Sequence, residues 1–288
     1  GQPSEGLPSA MWRQEPALTG AIRKRKDGRT MRSSNQAEIQ RAFTRQADGF
    51  ESDRMHFSRK AYLDDLAAKI GVSGEDAVLE VAAGTCACGR AIAPSAGWVV
   101  CLDMTPAMLS VGKAEAEKAA LGNMTFVLGD AAGLPFLDDS FDVVLSRLAF
   151  HHFPEVEGPF AEMVRVLRPG GRLALIDMEA AEPSLRETED GIERERDPSH
   201  VRNLSRDEML ALFEKHGLAV ERREAARIPV SLDNWLALTK TPADTGRRIT
   251  SRMENEIRGG EKTGFRPYLQ GTELRFEQRW VMIVGRKG

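Results

Sequence analysis

The amino-acid sequence predicts an α/β fold, a doubly wound and mostly parallel sheet of seven strands with a helical lid or insertion. Three observations carry this. Between residues 77 and 178, short segments apolar on both faces alternate with amphipathic helical segments, the pattern of parallel strands covered on both sides. In "VLEVAAGTCACGR", residues 78–90, the first such strand runs into a glycine turn and then a helix, which suits a nucleotide cofactor. No period of roughly 20–50 residues recurs, so a repeat architecture is excluded.

The chain has 288 residues, 41% hydrophobic and 29% charged, enough for a substantial core. Residues 1–30 read as a flexible extension, rich in Gly and Pro, without period, and carrying "RKRK" at 23–26. Met31 reads as a natural start after an upstream remnant. The basic run is also a candidate arm for a polyanion or a neighbouring subunit, so a homo-oligomer formed through this extension is one expectation. Residues 31–288 read as one domain, with a cofactor-binding core at 35–178.

Asn35 followed by Glu38 has the form of a capping box, and Ile39, Phe43, Ala47 and Phe50 then form a helical stripe. "AYLDDLAAKIG" is a second helix stopped by Gly71. Strand "AVLEVA", a helix from Gly89, strand "WVVCLD" and a helix from Thr105 follow. Thr105 is placed as N-cap with Pro106 in the first helical position, and this helix ends near Gly122. Strands "TFVLGD" and "FDVVLSR" come next, then a helix with Val156, Phe160, Met163, Val164 and Leu167 on one face. "RPGG" stops it before strand "RLALIDM".

Beyond Met178 the rhythm changes. Ser205 and Glu208 form a capping box for "DEMLALFEKH", ended by Gly217. Strands are expected at 218–230 and 276–285, with one helix containing Trp235 and another aligning Ile249, Met253 and Ile257. Segments 179–204 and 231–275 are read as excursions covering the substrate, because ligands of such sheets bind at the carboxyl ends of the strands.

Two cofactor classes use a strand, a glycine turn and a helix followed by an acid at the end of the second strand. Asp103 serves both, since its carboxylate can accept two hydrogen bonds from a ribose diol. A dinucleotide places a pyrophosphate over the turn and wants G-x-G-x-x-G. S-adenosylmethionine places a sulfonium and an amino-acid group there. Glu80 lies inside the first strand, four residues before Gly84, so its carboxylate opposes a pyrophosphate and suits a cation. At ~4 Å and an effective dielectric near 20, unit charges interact by roughly 4 kcal/mol before desolvation. The sign favours S-adenosylmethionine. The plainer alternatives are a surface carboxylate for Glu80 and a helix-cap neighbour for Asp103.

At these residues a family resemblance appears. "VLEVAAGTCACGR", "VVCLDMTPAML", "FVLGDAAGLPFLDDSFDVVLSRLAFHHF" and "VLRPGGRLALIDM" resemble the successive motifs of class I S-adenosylmethionine-dependent methyltransferases, with a Rossmann-like fold. The branch most resembled includes ubiquinone and menaquinone C-methyltransferases and many small-molecule methyltransferases. The resemblance implies that Glu80, Ala82, Gly84 and Thr85 line the methionine part of the cofactor. It implies Asp103 at the ribose hydroxyls, Met104 on adenine, Asp130 at the adenine amino group and the backbone of Ala131 at a ring nitrogen. Arg147 and Leu148 would form the floor below the sulfonium. Ala82 and Cys86 depart from the family, whose members often have glycine there.

Methyl transfer from a sulfonium is a direct displacement, so the enzyme mainly aligns its reactants. A base is needed only when the acceptor loses a proton. His151 and His152 follow the fourth strand at the substrate mouth, and an imidazole near its ordinary pKa of about 6.5 can take a proton at neutral pH. Packing or helix capping is the alternative for each. His56, His200 and His216 read as structural or surface residues, although "DPSHVRN" could fold over the substrate. Trp235, Phe265, Tyr268 and Trp280 are either core or walls of an apolar acceptor pocket.

The three cysteines, Cys86, Cys88 and Cys101, cannot form a closed disulfide framework and read as reduced thiols of a cytoplasmic protein. C-x-C without further Cys or paired His is poor for a metal, so no metal is expected, with a metalloid methyltransferase as the minor alternative. Net charge −3 gives no reason to expect nucleic acid or membrane, and no apolar run approaches the roughly 20 residues of a membrane span. A nucleic-acid methyltransferase is disfavoured because "SRLAFHHF" stands where exocyclic-amine enzymes carry [DNS]-P-P-[YF], and no Pro-Cys pair is present. An NAD-dependent oxidoreductase is disfavoured by Glu80. The expected activity is methyl transfer to a small apolar or aromatic metabolite, such as a natural product or a quinone-like acceptor.

Overall fold

The computed structural model describes residues 29–47 and 60–288, so the reading of residues 1–28, of Phe50 and of His56 lies outside the described part. Helices α1 (Arg29–Gln46) and α2 (Lys60–Ile70) precede strand β1 (Ala77–Val81). Then come α3 (Ala87–Ile92), β2 (Trp98–Asp103), α4 (Pro106–Lys118), β3 (Met124–Leu128), β4 (Phe141–Arg147), α5 (Glu157–Val166) and β5 (Leu167–Met178). The remainder is α6 (Arg186–Arg196), α7 (Arg206–Lys215), β6 (Leu218–Ser231), α8 (Leu232–Leu238), α9 (Ala243–Ile257), β7 (Tyr268–Gln270) and β8 (Glu273–Lys287).

The strands form one sheet in the order β3-β2-β1-β4-β5-β8-β6, and the short β7 pairs with β8 off this path. β1 to β5 run parallel, while β8 pairs antiparallel with both β5 and β6. The expected seven strands are therefore present, and β7 is an addition. Strand order reverses at β1 and β4, which opens a crevice at their carboxyl ends.

Side chains alternate across the sheet and feed two cores. Leu79, Val81, Val100 and Leu102 point to the face covered by Phe160 and Met163 of α5 and by Met209 and Phe213 of α7. Val78, Val99, Cys101, Val143 and Leu145 point to the other face, against Leu63 and Leu66 of α2 and Ile92 of α3. A third cluster unites Ile192 of α6, Trp235 of α8, Ile249 and Met253 of α9, Phe265 and Phe276. It occupies the region that the sequence reading assigns to a lid.

Several boundaries differ from the sequence reading. α1 begins at Arg29, so Asn35 lies inside it and is not its cap. α3 begins at Ala87, two residues before Gly89, because Cys86 takes the cap position. α4 stops at Lys118, earlier than Gly122, and its cap Thr105 makes no side-chain capping bond; Asp103 instead accepts from the Thr105 backbone N–H at 2.8 Å. "RPGG" passes straight from α5 into β5, and a register shift between Phe141 and Val143 absorbs it. Segment 179–204 holds α6, whose charged sequence hid a helix with buried Glu189, Asp190 and Glu193. The Ser205–Glu208 capping box is present as expected.

Candidate active site

The turn after β1 is wound in the left-handed region at three places. Ala82 and Gly84 have φ 54, and Cys86, which caps α3, has φ 60. A non-glycine residue there costs about 1–2 kcal/mol, which explains why glycine would relax Ala82 and Cys86. The surroundings hold the turn regardless. Ala83 N–H donates to Leu102 O at 3.0 Å, Cys86 N–H to Ala83 O at 2.8 Å and Gly84 N–H to Asp103 Oδ2 at 2.8 Å. Cys86 is fully buried, wedged against α4 where that helix has only hydrogen at Gly112. A Cβ at Gly112 would lie 2.9 Å from Cys86 Sγ and 2.7 Å from Thr85 O. Cys86 is thus the packing contact between the turn and α4.

Glu80 shares the face of Val78, so α3 lies over it. Gly89 N–H donates to Glu80 Oε2 at 2.7 Å and Cys101 Sγ lies 3.7 Å from the same oxygen. Position 89 has to be glycine, since a Cβ would come within 2.9 Å of that oxygen and 2.5 Å of Cys101 Sγ. Glu80 is only 3% exposed, so the surface-carboxylate reading is overturned. Burial pushes its carboxyl up to about 7, opposed by the Gly89 bond and the nearby Arg147 charge. Asp103 is also raised by burial, against its bonds from Gly84 and Thr105.

At the end of β3, Asp130 Oδ1 accepts from Ala132 N–H at 2.9 Å and Oδ2 from the amide of Gln36 at 2.7 Å. Gln40 donates to the Met104 carbonyl at 2.9 Å, so α1 sits over the β2 and β3 ends. Arg147 ends β4, and Leu148 follows at φ 53 with its N–H on Ile176 O at 2.8 Å. Burial opposes the Arg147 charge, but Cys88, Tyr62 and Glu80 outweigh it. The cysteines diverge: Cys86 interacts with Cys101, whereas Cys88 meets Arg147, and burial raises the Cys88 thiol to about 12.

A short 3-10 turn, Phe150–His152, carries the histidine pair. His151 Nδ1 lies 2.6 Å from Asp177 Oδ1, and that carboxylate also accepts from Phe150 N–H and Met178 N–H, each at 2.7 Å. Burial lowers the basicity of His151, yet the charge and hydrogen bond of Asp177 more than offset it and its pKa rises. His152 Nδ1 lies 3.0 Å from the Ser199 carbonyl. A carbonyl only accepts, so Nδ1 carries the proton. Burial, then the neighbouring His151 charge, hold the His152 pKa at about 3. Ser199 Oγ donates to Asp197 Oδ1 at 2.6 Å, and the Phe43 ring stands edge-on to His152 at 5.0 Å.

The sequence-predicted site residues border one cleft with about 1530 Å³ of empty space, its open mouth included. Glu80, Ala82, Gly84, Thr85, Asp103, Met104, Asp130 and Ala131 line one end, Arg147 and Leu148 the middle, and His151 and His152 the far side. Beyond the histidines the walls are Phe43, Met178, Ile228, Val230, Trp235, Leu238 and Trp280, with Asn234, Gln278 and Arg196 as polar points.

Phe265 is instead buried in the lid cluster, and Tyr268 lies on β7 away from the cleft. His200 is buried and not a surface residue: its Nε2 meets Asp190 at 2.9 Å and its ring lies 5.7 Å from that of His151. His216 pairs with Glu157 at 2.7 Å, outside the cleft. Asp177, Asp197, Arg196 and Gln278 escaped the sequence reading. Asp177 had a signal: like Glu80, it is an acid inside an apolar strand, "LALIDM". Among the described residues no helix is long and apolar enough to cross a membrane.

A methyltransferase-domain family matches residues 79–175. The uncharacterized methyltransferase YcgJ of Bacillus subtilis is 36% identical over 182 residues, covering 63% of this chain and 72% of that protein. Its crystal structure superposes with a TM-score of 0.72 at 31% identity, over 80% of this chain and 99% of that one. A demethylmenaquinone methyltransferase of Tropheryma whipplei (strain Twist) is 32% identical over 144 residues, covering 49% of this chain and 59% of that protein.

Proposed function

The chain belongs to the class I S-adenosylmethionine-dependent methyltransferases, and from that premise we propose that it methylates a small, apolar or aromatic metabolite of quinone-like or natural-product type. One observation carries the reading. A single cleft joins an acid-lined end, with Glu80, Asp103 and Asp130, to an aromatic end, with Trp235 and Trp280, across Arg147 and Leu148.

The donor set fits the cofactor. Glu80 borders the cleft below the turn and repels a pyrophosphate, while it attracts an ammonium or sulfonium group. Asp103 keeps lone pairs for a diol beyond the two backbone bonds it accepts. In this proposal Glu80, Ala82, Gly84 and Thr85 hold the methionine part, and Asp103 holds the ribose. Met104 packs on adenine, Asp130 accepts from its amino group and the Ala131 backbone meets a ring nitrogen. Arg147 and Leu148 form the floor, with the Arg147 charge offset by Glu80. When bound, the cofactor supplies an electrophilic methyl group whose thioether leaves uncharged. The chain's own residues orient the acceptor, exclude water through the apolar lid, and remove a proton through His151 or His152.

The demethylmenaquinone methyltransferase name of one relative supports a quinone-like acceptor. The test is a thermal shift with S-adenosylhomocysteine against NAD, since a ligand that binds only the folded state stabilises it. A shift with NAD and none with S-adenosylhomocysteine refutes the cofactor assignment. Labelled cofactor incubated with cell extract identifies the acceptor, and label found only in RNA or DNA refutes a small-molecule substrate.

A further inference from the structure

We propose that Gln278 is a specificity-determining residue of the acceptor site, donating a hydrogen bond to an uncharged oxygen of carbonyl type on the part of the acceptor remote from the transferred methyl, with Trp280 as its positioning residue. This rests on the methyltransferase reading and extends it to the far end of the cleft.

The face shared by β5, β8 and β6 is the floor there. Register sets Trp280 opposite Met178 and Gln278 opposite Ile228, and all four border the cleft together with Val230. Gln278 lies two residues from Trp280 on the same face of β8, a polar group among apolar neighbours. Such a group costs free energy to bury unless it is hydrogen-bonded.

Its bonds fix which way the amide faces. Trp280 Nε1 lies 3.2 Å from Gln278 Oε1, and an indole N–H only donates, so the amide oxygen is turned toward the indole. Gln278 Nε2 then faces the other way and donates one N–H to Met178 Sδ, a weak acceptor, at 3.3 Å. Its second N–H has no partner among the described residues. The indole is held in turn, since Trp280 is buried and the Tyr62 ring stands edge-on to it at 5.3 Å. Gln278 is therefore pre-oriented with a spare donor in an apolar chamber, and a guest oxygen satisfies it.

The lid side brings a second amide to the same end. Asn234 of α8 borders the cleft half-buried, and its side chain carries no hydrogen bond among the described residues. Charge decides which kind of oxygen these amides receive. Arg196 brings a positive charge here, but Glu193 lies 3.3 Å from its Nε and Asp197 shares the same charge. No positive charge is left in surplus. A carboxylate buried without a cation of its own costs far more than a carbonyl that accepts one bond, so a neutral oxygen is the better guest.

The test uses the full chain with S-adenosylhomocysteine present and three probes that differ at one substituent: 2-acetylnaphthalene, 2-isopropylnaphthalene and 2-naphthoate. Equilibrium dialysis gives the dissociation constants. The ratio of the hydrocarbon value to the ketone value should fall about 3–10-fold from wild type to Gln278→Leu, the weight of one neutral hydrogen bond. Gln278→Met is made in parallel, and unaltered S-adenosylhomocysteine binding shows that each variant is folded. Trp280→Phe keeps a ring and loses the N–H; its ratio should also fall while the hydrocarbon still binds, a selective change that loss of packing alone does not produce. In amide NMR the Gln278 side-chain protons should shift with the ketone and stay in place with the hydrocarbon. An unchanged ratio in the folded Gln278 variants, tighter binding of 2-naphthoate than of the ketone, or no binding of any probe by a protein that binds S-adenosylhomocysteine overturns the proposal and leaves the methyltransferase reading intact. An unmoved ratio in Trp280→Phe removes its positioning role. Failure of wild type to bind S-adenosylhomocysteine strikes the methyltransferase reading instead.

Discussion

Glu80→Gln separates what a buried carboxylate costs the fold from what it gives the ligand. In the folded chain the Glu80 carboxyl is raised from its ordinary 4.5 to about 7 by burial. A raised pKa means that the folded state holds the proton more tightly than the unfolded one. The resulting stabilisation is full below pH 4.5 and is lost as pH rises through 7. Between pH 5 and pH 8 this removes about 2–3 kcal/mol from the wild-type ligand-free protein. Glutamine keeps an acceptor for Gly89 N–H and does not titrate. The stability of Glu80→Gln relative to wild type should therefore rise by about that amount over the same interval, read by urea unfolding.

Ligand binding should move the other way. S-adenosylhomocysteine presents an ammonium group, and the Coulomb figure of roughly 4 kcal/mol at contact is an upper bound. A loss of about 10–100-fold at pH 8, or ~1.4–2.8 kcal/mol, is the expectation for the variant. Wild-type affinity should fall about tenfold between pH 8 and pH 6 as Glu80 takes up its proton, and the variant's should stay flat. Equal affinities at pH 8, or a flat wild-type profile, would refute the placement of Glu80 beneath the cofactor's charge.

Asp103→Ala should weaken S-adenosylhomocysteine at least tenfold by calorimetry, and also loosen the turn, since Gly84 and Thr105 N–H lose their acceptor. Gly112→Ala drives a methyl toward Thr85 O and Cys86 Sγ; overpacking of about 1–3 kcal/mol should appear in urea unfolding, together with weaker cofactor binding. Gln36→Ala frees Asp130 from its only described side-chain donor; S-adenosylhomocysteine should then bind as well or better, and a clear loss would show that α1 holds the adenine end in place. Trp235→Ala should raise the acceptor KM with little change in cofactor affinity, although its place in the lid cluster also predicts lower stability by about 3–5 kcal/mol.

The parallel core was legible because its signals are local. Strands β1, β2 and β4 are mostly apolar runs with few polar interruptions, and the capping box at Ser205 is a four-residue pattern. The lid was legible only in outline. α6 reads as a charged loop because Glu189, Asp190 and Glu193 lie on its buried side, paired there with Arg279, His200 and Arg196, which are distant or unremarked in sequence. Binary patterning fails wherever ion pairs replace apolar contacts. Cys86 was opaque for a different reason: its meaning lies in Gly112, one helix away, where a missing side chain makes room for it.

Glu80 and Asp177 show how far one anomaly can carry. Each is an acid in an otherwise apolar parallel strand, and β1 and β5 flank β4 on opposite sides. With strands about 4.8 Å apart, the β1 and β5 backbones lie roughly 10 Å apart on either side of β4, and Asp177 stands about three residues further along the strand direction than Glu80. Their side-chain parity differs. Glu80 follows Val78 onto the α3 face, whereas Asp177 follows Leu173 and Leu175 onto the α5 and α7 face. An acid on the first face can meet a cation lying over the turn; an acid on the second can only reach the turn after β4, where His151 waits. Both were expensive to bury, and each is compensated by backbone N–H donors, one from Gly89 of α3 for Glu80 and two from Phe150 and Met178 for Asp177. What distinguishes their tasks is the third partner, open cleft for Glu80 and an imidazole for Asp177. Removing the charge at either strand end should disturb one role and spare the other: Glu80→Gln loses cofactor affinity while keeping the His151 titration, and Asp177→Asn lowers the His151 pKa while keeping cofactor affinity.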